Sequence, residues 1–221
     1  MKLFNPKNYP DLLEMIPLTS EEIKTIISNY TLSFPVEKHP DVEWHIEFPV
    51  FAVTFYKEII QNHRIPTQEH FFENYVADHA DFFREKRFGR DILLGLKARV
   101  FRTYPSLVRD LFFNKFVKEQ LTGASVIYNI TLDIKEGIDL LISIHHNFHY
   151  AVNLFTDTYR ARVGRDKKQR RHDPFQNVVY IDLPIHFNGS LKCGAFFLFE
   201  KRELQTLLKL TVDRDYFPTY L

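Results

Sequence analysis

The hydrophobic pattern of this chain changes its period once, near Gly123, and this change constrains the fold more than any other feature. Before it, apolar residues recur at helical spacing in several segments. After it, β-branched and aromatic runs of strand length follow one another. The resulting order is helices, three strands, a basic connector, two strands and a closing helix, which predicts an α/β fold.

The part before Gly123 predicts a mainly helical N-terminal region. Helices are expected after a Thr19–Glu22 capping box, over residues 48–63, from Pro66 onward and between Asp91 and Leu121. Because proline suits the first turn of a helix, we expect a break or a start at Pro105. We therefore divide the chain into a helical region, residues 1–102, and an α/β core, residues 103–221.

The part after Gly123 predicts five strands and one helix. The strands are expected over residues 124–134, 138–144, 150–156, 178–187 and 193–199, and the helix over residues 200–210. Pro184 places its strand at an edge or a bulge, because proline cannot donate to a strand ladder. Asn188-Gly189 is a strong turn signal and predicts a hairpin between the last two strands.

Composition limits the class of protein. Of 221 residues, 45% are hydrophobic and 15% aromatic, which argues against a disordered chain. The formal net charge is +1, so a nucleic-acid surface has to be a local patch.

The single cysteine, Cys193, excludes an intramolecular disulfide and a Cys-based zinc site, and its apolar surroundings indicate a packed residue. The first 17 residues lack the apolar core of a signal peptide, and no run approaches the ~18 apolar residues of a membrane span, so a cytoplasmic protein without membrane association is expected.

Two features of the strand region carry chemistry. Asp139 lies at the entrance to a Leu/Ile strand, and carboxylates at strand ends can hold a divalent cation. Seven of the twelve residues 160–171 are Lys or Arg, and a cationic segment neutralises phosphates. Together they predict a metal-dependent enzyme acting on nucleic acid, or a protein derived from one. The alternatives are a strand-capping aspartate without metal and a solvated basic loop, and Glu136 is interpreted as a turn residue.

The predicted nucleic-acid surface follows the basic segment. Its candidate residues are Tyr159, Arg160, Arg162, Arg165, Lys167, Lys168, Arg170 and Arg171. Arginine suits bidentate phosphate contacts, and the tyrosine ring can stack on an unpaired base. Such contacts position a nucleic acid without specifying its sequence. DNA is favoured over RNA as the partner.

The strand order and the Gly137-Ile138-Asp139-Leu140-Leu141-Ile142 motif resemble the PD-(D/E)XK, or restriction-endonuclease-like, nuclease superfamily over residues 103–210. The resemblance implies a mixed central sheet flanked by helices, with Asp139 as the metal-binding acid of the second strand. The third strand of the family ends in Glu/Gln-x-Lys. Asn153-Leu154-Phe155 stands in that register here: Asn153 can offer a carbonyl oxygen, but Phe155 cannot replace the lysine.

The resemblance further implies hydrolysis of phosphodiester bonds with Mg²⁺ or Mn²⁺. The expected metal ligands are Asp139, Glu119 and Asp157, and the expected catalytic residues are Asp139, Asn153, Asp157, Arg160 and Arg162. Either of the two arginines would stabilise charge on the phosphoryl oxygens in place of the family's lysine. A rim ion pair with Lys115 is the alternative for Glu119.

Three functions remain open. The chain is an active nuclease, a catalytically inactive nucleic-acid-binding or assembly subunit of a restriction, repair or phage-defence complex, or a protein-interaction module whose basic loop binds an acidic partner. A homodimer or a protein-complex partner is compatible with each. The histidines of the HHxxH run, His145, His146 and His149, are interpreted as one polar turn because the helical zinc motif needs a glutamate beside the first histidine. GxxxxGK[ST], GxGxxG and GxSxG motifs are absent.

Overall fold

The computed structural model describes residues 3–144, 148–156, 175–188 and 190–211. The chain forms two compact units, which we call the sheet unit and the helical unit. The sheet unit comprises Met1–Met15, Phe112–Lys192 and Phe197–Leu221, and the helical unit comprises Ile16–Leu111 and Cys193–Phe196. The division into residues 1–102 and 103–221 stays a prediction about domains.

Six α-helices lie in the described ranges. They are α1 (Ser20–Ser28), α2 (Phe51–Asn62), α3 (Gln68–Asp78), α4 (Ala80–Lys86), α5 (Arg90–Gln120) and α6 (Lys201–Leu210). The predicted capping box is confirmed: Thr19 Oγ1 accepts from the Glu22 N–H at 3.2 Å, and Glu22 Oε2 accepts from the Thr19 N–H at 2.8 Å. Among these described helices, none combines the length and apolarity that a bilayer span requires.

The predicted break at Pro105 is wrong, because α5 runs through this residue without interruption. A proline inside a helix removes one hydrogen bond and leaves the carbonyl four residues earlier without its partner. That carbonyl belongs to Phe101, and it accepts from Gln68 Nε2 at 2.9 Å. A side chain from α3 therefore replaces the missing N–H and stabilises the continuous helix.

Four strands form the central sheet, in the order β1 (Ser125–Ile127), β2 (Leu140–Ile144), β3 (Phe148–Thr156) and β4 (Val178–Ile185). The first three strands pair antiparallel, whereas β3 and β4 pair parallel. The fold is therefore mixed α/β with a mixed sheet. Pro184 lies in β4, at the edge of the described sheet, as predicted.

Two predicted strands differ from the structure. The strand expected over residues 124–134 ends at Ile127, because Asn129 Oδ1 accepts from the Thr131 N–H at 2.8 Å and starts a turn. The predicted hairpin between residues 178–187 and 193–199 is wrong. Instead β5 (Leu191–Cys193) pairs with β6 (Phe196–Leu198) in a separate two-stranded sheet. Gly194 turns this hairpin at a φ of 56°, a left-handed conformation that glycine adopts without strain.

One face of the central sheet is covered by an apolar cluster. This face carries Ile127, Leu141 and Ala151, which pack in a cluster with Phe4 and Phe175. The same face continues along β3 to residue 153, because alternate residues of a strand share a face. On this face, the polar residue Asn153 therefore follows the apolar cluster toward the C-terminal end of β3. The candidate site lies at that end.

Candidate functional site

Asp139 is held at the start of β2 by two hydrogen bonds to β3. Its N–H donates to the Val152 carbonyl at 3.1 Å, and its Oδ2 accepts from the Leu154 N–H at 2.7 Å. The two bonds bracket Asn153 on the neighbouring strand. Because Leu154 N is bonded to the carbonyl carbon of Asn153, the Asp139 carboxylate lies within about 6 Å of the Asn153 Cα. The structure thus brings together two predicted site residues.

Asn153 uses one end of its amide and leaves the other without a partner. It pairs in register with Asp182 of β4, and its Nδ2 donates to Asp182 Oδ1 at 3.3 Å. Its Oδ1 is shielded from solvent and has no hydrogen-bond partner among the described residues. A shielded acceptor without a donor costs about 1–3 kcal/mol, so this oxygen marks a place where a cation or a donor belongs.

Asn114 of α5 shows the same pattern beside Asp139. Its side chain is fully buried, and its Nδ2 donates to the main-chain carbonyl of Asp139 at 3.3 Å. Its Oδ1 has no partner within the described part of the chain. Asn114 therefore fixes the main chain of Asp139 while retaining an unpaired carbonyl oxygen of its own.

The parallel pairing of β3 and β4 decides where these groups meet. Parallel strands end at the same edge of a sheet, and ligands of open α/β sheets bind outside the carboxyl ends of the strands. Asn153 and Asp182 lie in the C-terminal halves of their strands. The basic segment that begins at Arg160 follows β3 in the chain after only three intervening residues. The candidate site therefore lies toward the carboxyl end of β3, after which the predicted phosphate-binding segment follows in the sequence.

The donor set at this edge consists of oxygen atoms. Across the described ranges, no three His, Cys, Asp or Glu side chains come together in a way that could hold a metal ion. The Asp139 carboxylate and the unpartnered carbonyl oxygen of Asn153 nevertheless fit Mg²⁺ or Mn²⁺, since hard cations take carboxylate and amide oxygens and retain several waters.

The remaining predicted residues have different outcomes. Phe155 pairs with Pro184, so an apolar ring occupies the register of the family's lysine. Glu119 is exposed near the end of α5, about 140° around the helix from Asn114, and its role as a metal ligand stays a prediction. Asp157, Tyr159, Arg160, Arg162, Arg165, Lys167, Lys168, Arg170 and Arg171 lie outside the described residues.

The interpretation of the HHxxH run as one turn is wrong for His149. This residue lies in β3, is 4% exposed, and forms a 2.7 Å hydrogen bond between its Nδ1 and Ser143 Oγ across the strand pair. Burial lowers the pKa of His149 below its ordinary value, which favours the neutral ring at pH 7. His145 and His146 lie outside the described residues.

Sequence reasoning missed Asn114 and Asp182. Asp182 is the acid within the otherwise apolar β4 run VVYIDLPI, which was a usable signal. Asn114 is a polar residue in a helical segment whose neighbours Leu111, Phe112 and Phe113 are all fully buried. A polar residue at a position where the helix pattern requires an apolar one indicates either a hydrogen-bonded core residue or a site residue.

No protein-family model, no curated protein and no solved structure matches this chain.

Proposed function

We propose that this protein is a metal-dependent nuclease-like protein that hydrolyses phosphodiester bonds in nucleic acid. The observation that carries the proposal is that the Asp139 carboxylate accepts from the Leu154 N–H on β3, directly after Asn153, whose amide oxygen has no partner among the described residues. An aspartate that only capped a strand would not explain why the shielded amide oxygen of Asn153 has no partner in the described part of the chain.

The topology gives further support. A helix, an antiparallel set of three strands and a fourth strand parallel to the third follow one another in the sheet unit. This order is compatible with the restriction-endonuclease-like core that the sequence resemblance implies. Asp139 stands immediately before its second strand and Asn153 within its third, the two positions at which that family holds its metal.

Each residue has a distinct part in the proposed reaction. Asp139 and Asn153 would hold the cation through a charged and a neutral oxygen. When bound, Mg²⁺ or Mn²⁺ supplies Lewis-acid polarisation of the phosphate and lowers the pKa of a coordinated water. Arg160 or Arg162 stabilises the charge that develops on the phosphoryl oxygens. Glu119 and Asp157 are further candidate ligands.

A non-catalytic nucleic-acid-binding or assembly subunit is the second candidate. The Phe155–Pro184 pairing favours it, because an apolar ring stands where the family's lysine would act. In that case the basic segment keeps its affinity for phosphates while the edge of β3 does no chemistry. DNA is the favoured partner in both proposals.

The test is cleavage of single- and double-stranded DNA and RNA with Mg²⁺ or Mn²⁺ by the full chain. The Asp139→Asn variant is the sharpest probe, because an amide oxygen can still accept from the Leu154 N–H while the negative charge is lost. We expect a loss of activity of at least about a hundredfold, since removing a charged metal ligand removes most of the binding of the cation.

The matched control is Glu136→Gln, which removes one acid from the turn before β2 and should leave cleavage unchanged. EDTA should abolish the activity of the wild-type protein. If the folded wild-type protein cleaves none of the four substrates but binds them in a salt-sensitive manner, the second candidate function replaces the first.

A further inference from the structure

We infer that Asp182 is a positioning residue that sets the orientation of the Asn153 amide, so that the oxygen and not the nitrogen of this amide faces the cation. The inference rests on the proposed function and adds to it a residue outside the predicted site. Asp182 acts through Asn153 and has no direct part in the chemistry.

The argument begins with the ambiguity of an amide. Rotation by 180° exchanges the donor and the acceptor end of an asparagine, and only the oxygen end can bind a cation. An ionised carboxylate accepts hydrogen bonds and cannot donate them. The 3.3 Å contact between Asn153 Nδ2 and Asp182 Oδ1 therefore permits one orientation of the amide. In that orientation Oδ1 is the shielded atom, and it has no partner within the ranges that the structure describes.

The fold supports this role. Asn153 and Asp182 are in register on a parallel strand pair whose pairing continues on both sides, from His149↔Val178 to Thr156↔Ile185. The main chains on either side of the contact are therefore fixed by the strand ladder. Carboxylates that bond to metal ligands are known to orient those ligands, and their loss typically lowers metal affinity about 10- to 100-fold.

The experiment measures Mn²⁺ binding to the full chain by electron paramagnetic resonance, which does not depend on activity. Asp182→Asn keeps the shape of the side chain but can either donate or accept, so the Asn153 amide is free to take both orientations. We expect the affinity for Mn²⁺ to fall about 10-fold or more. Glu85→Gln, an exposed residue of α4, removes the same charge and should leave the affinity unchanged.

The double variant Asn153→Asp/Asp182→Asn separates positioning from a structural role. A carboxylate at position 153 has two equivalent oxygens and needs no orientation, and an amide at position 182 can donate to it. We expect the double variant to bind Mn²⁺ at least as tightly as the wild-type protein, although each single change perturbs the pair. A structural role for Asp182 instead predicts that the second change adds to the loss.

Each outcome has a defined meaning, once urea unfolding has established that the variants are folded. Weakened binding by Asp182→Asn together with rescue in the double variant supports the inference. Unchanged binding by Asp182→Asn, or no rescue in the double variant, overturns the positioning role and leaves the proposed function in place. A wild-type protein that binds no Mn²⁺ at millimolar concentration overturns the proposed function and the positioning role together.

Discussion

Gln68 of the helical unit differs from Asn114 and Asn153 of the sheet unit in the hydrogen bonding of its side-chain amide. In the helical unit, Gln68 uses both ends of its side chain: Oε1 accepts from the Ser33 N–H at 2.7 Å, and Nε2 donates to the carbonyls of Ser33 and Phe101 at 3.0 and 2.9 Å. In the sheet unit, Asn114 and Asn153 use only the nitrogen end, and both carbonyl oxygens lack a partner among the described residues.

Two buried tyrosines of the helical unit, like Gln68, have hydrogen-bond partners for their polar groups. The hydroxyls of Tyr75 and Tyr104 donate to the carbonyls of Pro49 and Pro66, at 2.8 and 2.5 Å. Burial raises the pKa of both hydroxyls well above the ordinary value, so they remain protonated donors throughout the working pH range. These polar groups complete the hydrogen bonding of loops that contain proline.

The difference shows which buried polar groups stabilise the fold and which indicate a site. A satisfied amide contributes to folding, whereas an unpaired amide oxygen costs about 1–3 kcal/mol that packing does not recover. Such a cost is commonly found at functional sites, where a ligand supplies the missing partner. Within the described residues, two of these oxygens belong to amides whose residues adjoin Asp139, which is why we assign the candidate site to the sheet unit.

The largest effect is expected for Gln68→Met, which keeps the length of the side chain and removes its hydrogen bonds. The Phe101 carbonyl, already without a helical partner because of Pro105, would become an unsatisfied buried acceptor. We expect the free energy of unfolding to fall by about 3–5 kcal/mol, measured by urea denaturation. Gln61→Met, at an exposed position of α2, is the control and should change stability by less than about 0.5 kcal/mol. A comparable loss in both variants would show that Gln68 has no special role in the helical unit.

A smaller effect is expected when Arg160 and Arg162 are both replaced by Ala. Loss of two phosphate contacts should weaken binding to every nucleic acid about tenfold at low salt and reduce the slope of log affinity against log salt by about 2. The control removes two charges from the helical unit, Arg84→Ala and Lys86→Ala, both exposed in α4. Equal effects of the two double variants would mean that binding follows net charge and is not localised to the basic segment.

The sequence predicted much of the fold because its signals are local. The Thr19–Glu22 capping box, the helix from Gln68 and the strands β2 to β4 each rest on residues within one element. Pro105 misled the prediction because the group that compensates for it, Gln68, is 37 positions away in the chain. Long-range hydrogen bonds of this kind leave no local pattern.

The candidate site was also predictable only where its signals are local. Asp139 has a local signal, an acid before an apolar strand, and Asn153 follows once the strand register is assumed. Asp182 becomes part of the site only through the parallel pairing of β4 with β3, which the sequence order does not specify. Asn114 enters through the packing of α5 on the start of β2, and that contact joins residues 25 apart in the sequence.

The smallest change in stability is expected for Asn114→Leu. This variant tests most directly the difference between Gln68, whose amide is fully hydrogen-bonded, and the amides beside Asp139. It removes the hydrogen bond to the Asp139 carbonyl, but it also removes a fully buried acceptor that has no partner among the residues described. Because these two contributions oppose each other, we expect the free energy of unfolding to change by less than about 1 kcal/mol. The affinity for Mn²⁺ should nevertheless fall about tenfold, since the main chain of Asp139 loses the contact that fixes it. A loss of stability as large as that of Gln68→Met would show that Asn114 is an ordinary structural amide, and the distinction between the two units would not hold for it.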